Sequence, residues 1–160
     1  MIKVISFGEA LVDMLSSRVG EDQSEHSGTV NERFTKFPGG APANVAAAIG
    51  KLGGDSYFAG KVGADMFGDF LIESLEALKV RTDYVKQTSE AKTALAFVSL
   101  DSTGERSFEF YRGPSADLLF TPNEFQPEWF NGQGIFHFCS NTLTEPGILE
   151  ATQAGLEKAR

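Results

Sequence analysis

The sequence predicts a mixed α/β fold, and the order of its apolar segments carries this prediction. An apolar strand is expected over residues 2–7, and a second short strand over residues 56–62. Helices are expected over residues 42–52 and 65–79, where small or apolar residues recur at helical spacing. Helices and strands of this length in alternation are typical of layered α/β proteins.

The ends of both helices are marked by residues that favour helix starts and stops. Pro42 suits the first turn of the first helix, and Gly53 and Gly54 suit its end. Asp65 is expected to cap the second helix, and Lys79 lies at its negative C-terminal end. The apolar positions of the second helix are Phe67, Phe70, Leu71, Leu75 and Leu78. This spacing predicts one buried face.

The middle of the chain predicts a β-hairpin. Its strands are expected over residues 93–100 and 105–111, and its turn over residues 101–104, where Gly104 suits a positive φ. Apolar side chains fall on both faces of these strands. One face is therefore expected to be covered, and the other to meet a ligand or a partner.

Three further elements complete the expected layout. Strands are expected over residues 33–37 and 135–139, and a last helix starts near Glu145. Residues 151–160 are expected to lie inside this amphipathic helix, and no Gly or Pro after Arg160 marks its end. The pattern predicts a chain that is cut short within a longer protein.

Composition and charge narrow the classes of function. The 160 residues are 41% apolar and include 14 Phe, which is enough to form a globular core. No apolar run approaches the roughly 20 residues of a membrane-spanning helix. A formal net charge of −8 disfavours nucleic acid and anionic membrane surfaces as partners and favours a small molecule or another protein. Cys139 is the single cysteine, so a reducing, cytoplasmic location is expected.

The segment FPGGAPAN at residues 37–44 is the most informative motif. Gly39 and Gly40 precede a helix start, where missing side chains let a ligand approach the backbone. Asn44 offers both a donor and an acceptor to a ligand hydroxyl. A tight strand-to-helix turn with local capping explains the same residues equally well. The segment is neither a Walker A loop nor a Gly-x-Gly-x-x-Gly motif.

Other candidate residues each have a simpler alternative. Asp13 follows the first strand and can accept hydrogen bonds from two hydroxyls, or it is a solvated loop carboxylate. Arg112 can reach a ligand or form a surface ion pair. Phe97 and Phe110 can form an apolar wall for a sugar ring, or simply pack in the core. No metal-ligand spacing or nucleophile motif is present, so no metal site is expected.

Four motifs in register resemble the ribokinase-like (PfkB) family of carbohydrate kinases. They are GEALVD at residues 8–13, PGGAPANVA at 38–46, GKVGAD with FG at 60–68, and YRGPSAD at 111–117. The last of these is especially similar to fructokinases. The resemblance implies a three-layer α/β/α fold with a mostly parallel central sheet. It also implies a small β lid, formed by segments of about 13–37 and 93–112.

The resemblance also implies roles for individual residues. Asp13 and Asn44 would bind sugar hydroxyls, and Gly39 and Gly40 would let the sugar approach the backbone. The lid side of the site would be lined by Phe97, Phe110 and Arg112, and Ser140 is a further substrate-binding candidate. The implied reaction transfers the γ-phosphoryl group of ATP, with Mg²⁺, to the 6-hydroxyl of fructose. The implied partners are the sugar and a second copy of the chain, paired through the lid.

The sequence departs from the family after Asp117. The family's Gly-x-Gly-Asp motif, which supplies the catalytic base, is absent from these 160 residues. The base and the nucleotide site are therefore expected beyond Arg160, and the fragment alone is expected to be inactive. A non-catalytic sugar-binding module and a kinase for 2-keto-3-deoxygluconate, ribose or aminoimidazole riboside remain alternatives. A dinucleotide-binding oxidoreductase is disfavoured, since Gly-x-Gly-x-x-Gly does not follow the first strand.

Overall fold

The computed structural model describes residues 2–19, 33–100, 103 and 105–160. The predicted turn residues Asp101, Ser102 and Gly104 lie outside the described residues, as do residues 20–32. The strands are β1 (Lys3–Phe7), β2 (Leu11–Val19), β3 (Phe34–Gly39), β4 (Asp55–Gly63), β5 (Val85–Thr88), β6 (Leu95–Leu100), β7 (Arg106–Tyr111) and β8 (Gly134–Phe138). The helices are α1 (Ala41–Lys51), α2 (Met66–Ala77) and α3 (Pro146–Lys158).

Four parallel strands form the central sheet, in the order β5-β4-β1-β8. β1 is paired on both sides: Ile5 lies opposite Tyr57 of β4 and Phe136 of β8. Because all four strands run the same way, their carboxyl ends lie along one edge of the sheet. In open α/β sheets ligands bind at that edge.

Apolar cores lie on both faces of the central sheet, as a parallel sheet requires. The adjacent β4 residues Phe58 and Ala59 point to opposite faces. Phe58 packs with Ala46 of α1 and Leu71 of α2. Ala59 packs with the cluster that contains Ile148 of α3. The predicted three-layer α/β/α arrangement is confirmed.

A second sheet stands beside the first, in the order β3-β2-β6-β7. β2 is antiparallel to β3 and parallel to β6, and the predicted hairpin strands β6 and β7 are antiparallel. Pro38 lies in β3, where an edge strand tolerates a residue without an N–H. The helix α2 packs against β2 and β3, and Lys36 of β3 lies over the ring of Phe70, 4.1 Å from its centroid.

The structure differs from the predicted elements at three places. Asp13, expected at a strand end, lies within β2. The short strand β5 was not predicted, because its sequence VKQT has only one apolar residue and lies at the sheet edge. The last helix ends at Lys158 rather than continuing through Arg160.

Asp65 joins the start of α2 to the second sheet, and its predicted capping role is confirmed. Its Oδ1 accepts hydrogen bonds from the backbone N–H groups of Phe67 (3.1 Å) and Gly68 (3.0 Å). Thr93, just before β6, donates its N–H to Oδ2 (3.0 Å) and its hydroxyl to Oδ1 (2.9 Å). Burial alone raises the pKa of Asp65, but these hydrogen bonds outweigh it and hold the pKa below the ordinary value.

We expect Asp65→Ala to lower the free energy of unfolding by about 2 kcal/mol, since a helix cap and the link to Thr93 are both lost. A lowered pKa stabilises the fold above the pKa of the unfolded carboxyl, and this gain disappears as the pH falls through the folded pKa. Urea unfolding at several pH values measures both effects. Asp65→Asn is the control, because asparagine also caps helices. An Asp65→Ala variant as stable as the parent protein would contradict this role.

Candidate functional site

An open cavity of about 710 Å³ lies at the carboxyl edge of the central sheet, against one face of the second sheet. Its lining residues come from the β1–β2 connection, β2, the start of α1, β7 and the segment after β8. They are Glu9, Leu11, Asp13, Gly40, Ala41, Phe108, Phe110, Arg112, Ser140, Asn141 and Thr144. Five of the eight residues predicted from sequence meet here: Asp13, Gly40, Phe110, Arg112 and Ser140.

Asp13 lies on the face of β2 that is turned toward the cavity. Burial raises the pKa of its carboxyl above the ordinary value of 3.8, and the Arg106 guanidinium opposes part of that rise. Gly39 lies against this carboxylate, because a Cβ atom at Gly39 would overlap its Oδ2. Gly39 therefore leaves room for Asp13, although it does not line the cavity itself.

The turn into α1 brings the backbone of Gly40 to the cavity wall. Gly40 has a φ of 103°, which residues with a side chain rarely adopt. A Cβ atom there would lie 2.5 Å from the carbonyl oxygen of Glu9 and 3.0 Å from the Cα of Ala10. Only glycine fits this close approach of two connections.

Glu9 is a site residue that sequence reasoning missed. Its side chain is only 4% exposed, and its Oε1 accepts a hydrogen bond from the N–H of Ala41 at 3.2 Å. The thiol of Cys139 donates to Oε2 at 3.2 Å. Burial raises the pKa of that thiol, and the hydrogen bond to Glu9 raises it further. Glu9 thus connects the start of α1 to the end of β8. The sequence signal that could have identified it is its position between Gly8 and Ala10, as a charged residue in an apolar stretch.

Arg112 forms an ion pair at the edge of the cavity. Its Nε donates to Oδ2 of Asp117 at 3.0 Å, and its Nη2 donates to the same oxygen. The hydroxyl of Ser115 donates to Oδ1 at 2.5 Å. Arg112 therefore pairs with a carboxylate, but the alternative of an ordinary surface ion pair is wrong, because Asp117 is 4% exposed. Removing one partner of such a buried pair costs about 3–5 kcal/mol.

Two predicted site residues lie away from this cavity. Phe97 faces the other side of the second sheet, since its antiparallel neighbour is Glu109 and Phe110 pairs with Ala96. The predicted common wall of Phe97 and Phe110 is therefore wrong within one chain. Asn44 lies on α1 and lines a small separate cavity between α1 and α2.

The remaining polar side chains at the cavity follow β8. Ser140 opens a 3₁₀ turn of residues Ser140–Leu143 and is exposed. Asn141 and Thr144 lie beside it and were not predicted. Such hydroxyl and amide groups can donate or accept hydrogen bonds.

Within residues 2–19, 33–100, 103 and 105–160, no three His, Cys, Asp or Glu side chains are grouped to hold a metal ion. No helix in this described part has the length and apolarity needed to cross a membrane.

The geometry is that of an α/β protein with a ligand cavity at the carboxyl edge of its parallel sheet. Comparison with protein families matches residues 1–160 to the pfkB family carbohydrate kinases. The chain belongs to this family.

Individual relatives agree with this assignment. Fructokinase-2 of Oryza sativa subsp. japonica is 48% identical over 144 residues, which cover 89% of this chain and 41% of that protein. The fructokinase of Solanum tuberosum is 42% identical over 157 residues, 98% of this chain and 48% of that protein. The crystal structure of the Xylella fastidiosa fructokinase with bound ATP is 48% identical, with a TM-score of 0.86, over 99% of this chain and 49% of that one. The chain therefore spans about half the length of the relatives it matches.

Proposed function

We propose that the protein containing this chain is an ATP-dependent fructokinase, and that these residues form its sugar-binding half. The reaction would transfer the γ-phosphoryl group of ATP to the 6-hydroxyl of fructose. The observation that carries the proposal is the cavity, which sets the Asp13 carboxylate and the Phe110 ring on one wall at the carboxyl edge of the central sheet. The relatives named fructokinase, at 42–48% identity, support the choice of sugar.

Each lining group has a chemical task in this proposal. The Asp13 carboxylate accepts hydrogen bonds from two sugar hydroxyls, and the rings of Phe108 and Phe110 cover the apolar C–H face of the sugar. Gly40 lets the sugar approach the backbone, and Ser140 holds a further hydroxyl. Asn44 and Phe97 do not line this cavity, so the proposal does not rest on them.

We propose ATP as the cosubstrate and Mg²⁺ as the cofactor of this reaction. The bound ATP in the Xylella fastidiosa fructokinase supports the nucleotide. The metal would neutralise charge on the transferred phosphoryl group. The task that we propose for this part of the protein is to hold and orient the sugar in the cavity. We propose that the catalytic base and the nucleotide-binding residues lie outside these 160 residues. We also propose that the protein is cytoplasmic.

The proposal is tested by ATP-dependent phosphorylation across a panel of sugars, with the protein from the complete reading frame. Fructose, ribose and 2-keto-3-deoxygluconate are compared at equal concentration. We expect fructose to give the highest kcat/KM. Phosphorylation of another sugar in preference to fructose would contradict the choice of substrate. Fructose binding without turnover would favour a sugar-binding module.

We also propose that the second sheet is a lid, and that two copies of the protein pair through its outer face. Part of that face is covered, because Met14 and Leu95 pack against the apolar cluster that contains Leu71 of α2. Another part exposes Phe34 (41%) and Tyr111 (60%), whose rings both contact Phe97 edge to face. An exposed aromatic cluster of this kind is typical of an interface.

We expect Tyr111→Glu to shift the protein from dimer to monomer, because a charge would be buried in the proposed interface. Light scattering after size exclusion measures the change in mass. Lys86→Glu on β5 is the matched control and should leave the mass unchanged. A parent protein that is monomeric at all concentrations would contradict pairing through this face.

A further inference from the structure

The cavity is lined by more negative than positive charge. Glu9 and Asp13 contribute two carboxylates, and Arg112 is the one basic side chain among the described lining residues. No basic side chain of the described residues forms an ion pair with either carboxylate. Arg106, further along β7, acts on Asp13 through its charge but does not line the cavity.

Arg112, the one cation among the described lining residues, is already paired with a buried carboxylate on the side away from the cavity. Asp117 accepts two hydrogen bonds from the Arg112 guanidinium, with the Nε contact at 3.0 Å. Asp117 is 4% exposed and does not line the cavity, and Ser115 fixes its other oxygen at 2.5 Å. A buried carboxylate held on both oxygens stays in place when a ligand enters. The charge of Arg112 is therefore not available to an anionic ligand.

Neutral and anionic sugars are expected to interact differently with the charged groups of the cavity. Hydroxyl groups of a neutral sugar can still accept hydrogen bonds from Arg112, because a guanidinium carries five N–H groups and only two of them donate to Asp117. A carboxylate or phosphate would face Glu9 and Asp13, which repel it, and Arg112, the one cation among the described lining residues, is already paired with Asp117.

We propose that Asp117 is a specificity-determining positioning residue, which neutralises Arg112 so that the site accepts neutral sugars and rejects sugar acids and sugar phosphates. This inference rests on the proposed function. It assigns the discrimination to a residue that does not contact the sugar and acts only through Arg112. It also implies that the phosphorylated product is repelled by the site that formed it.

The test uses Asp117→Asn in the protein from the complete reading frame. Asparagine keeps the shape and an oxygen acceptor for Arg112 but removes the negative charge. We expect the ratio of kcat/KM for 2-keto-3-deoxygluconate to that for fructose to rise about tenfold. Inhibition by fructose 6-phosphate should strengthen by a similar factor, and the KM for ATP should not change. The gain should shrink at high salt, because it is electrostatic.

Three comparisons separate charge from structure. Adding Arg112→Gln to Asp117→Asn should abolish the gain for anionic sugars. Ser115→Ala should change the ratio less than Asp117→Asn does, because it removes one hydrogen bond to Asp117 but keeps its charge. Asp83→Asn, an exposed change near the opposite edge of the central sheet, should also leave it unchanged.

If Asp117→Asn does not fold, inhibition of the unmodified protein by neutral and by acidic sugar derivatives tests the same inference. Neutral sugar alcohols should then inhibit fructose phosphorylation at least tenfold more strongly than aldonic acids of the same chain length. Equal inhibition by the two, or an unchanged sugar ratio in folded Asp117→Asn, would overturn the role of Asp117 alone. Absence of fructose turnover in the unmodified protein would overturn the proposed function, and this inference with it.

Discussion

Asp13→Ala is expected to lower kcat/KM for fructose by about 10³-fold. The carboxylate accepts two charge-assisted hydrogen bonds from the sugar in the proposed complex, each contributing about 2 kcal/mol. Burial already raises the pKa of this carboxyl, so its ionised form is costly in the free protein. Removing it should therefore leave the free energy of unfolding unchanged or slightly increased while fructose binding is lost.

Steady-state kinetics with the protein from the complete reading frame measures this effect, with urea unfolding alongside. The matched control is Asp83→Ala, an exposed aspartate before β5 at the opposite edge of the central sheet. The control should retain full activity. An Asp13→Ala variant with unaltered kcat/KM for fructose would remove Asp13 from the sugar site.

Gly40→Ala is expected to have the second largest effect, on stability and on the KM for fructose together. A residue with a side chain is strained at a φ of 103°, and its Cβ would lie 2.5 Å from the Glu9 carbonyl oxygen. The backbone would have to move where α1 meets the β1–β2 connection, at the cavity wall. We expect a loss of about 3 kcal/mol in the free energy of unfolding, as for strained and overpacked sites.

Gly53→Ala separates strain from overlap in the same experiment. Gly53 also has a positive φ, of 81°, but an added Cβ would meet nothing within 4 Å. We therefore expect a loss of about 1 kcal/mol, with no change in the KM for fructose. Equal losses in Gly40→Ala and Gly53→Ala would show that the close approach to Glu9 is unimportant.

Local patterns predicted the helices and the α2 cap well. Asp65 precedes a run of apolar residues at helical spacing, and both its capping contacts depend only on residues two and three positions away. The contact with Thr93 links residues 28 positions apart. No local pattern contains that information, so the connection between α2 and the second sheet needed the structure.

The aromatic wall shows why the site was only partly predictable. Phe97 and Phe110 lie on neighbouring antiparallel strands, and the register sets Ala96, not Phe97, opposite Phe110. A shift of one residue would reverse every side chain on a strand. The sequence therefore indicates two aromatic strands but does not determine which rings share a face.

The pairing of Arg112 with Asp117 was open for a different reason. The two residues are five positions apart, and whether Arg112 meets a ligand or a carboxylate depends on the turn between them. That turn leads into a 3₁₀ segment (Ala116–Leu119) that buries the carboxylate. Burial changes the energetic contribution of the pair, because an exposed ion pair contributes about 0–1 kcal/mol to stability, whereas a buried pair is costly to break.

The most direct test of the proposed sugar site is a crystal structure of the protein from the complete reading frame with fructose bound. We expect the sugar in the cavity at the carboxyl edge of the central sheet, with two of its hydroxyls within about 3 Å of the Asp13 carboxylate. Its C–H face should lie against Phe110. Fructose bound elsewhere, with this cavity empty, would contradict the proposed site.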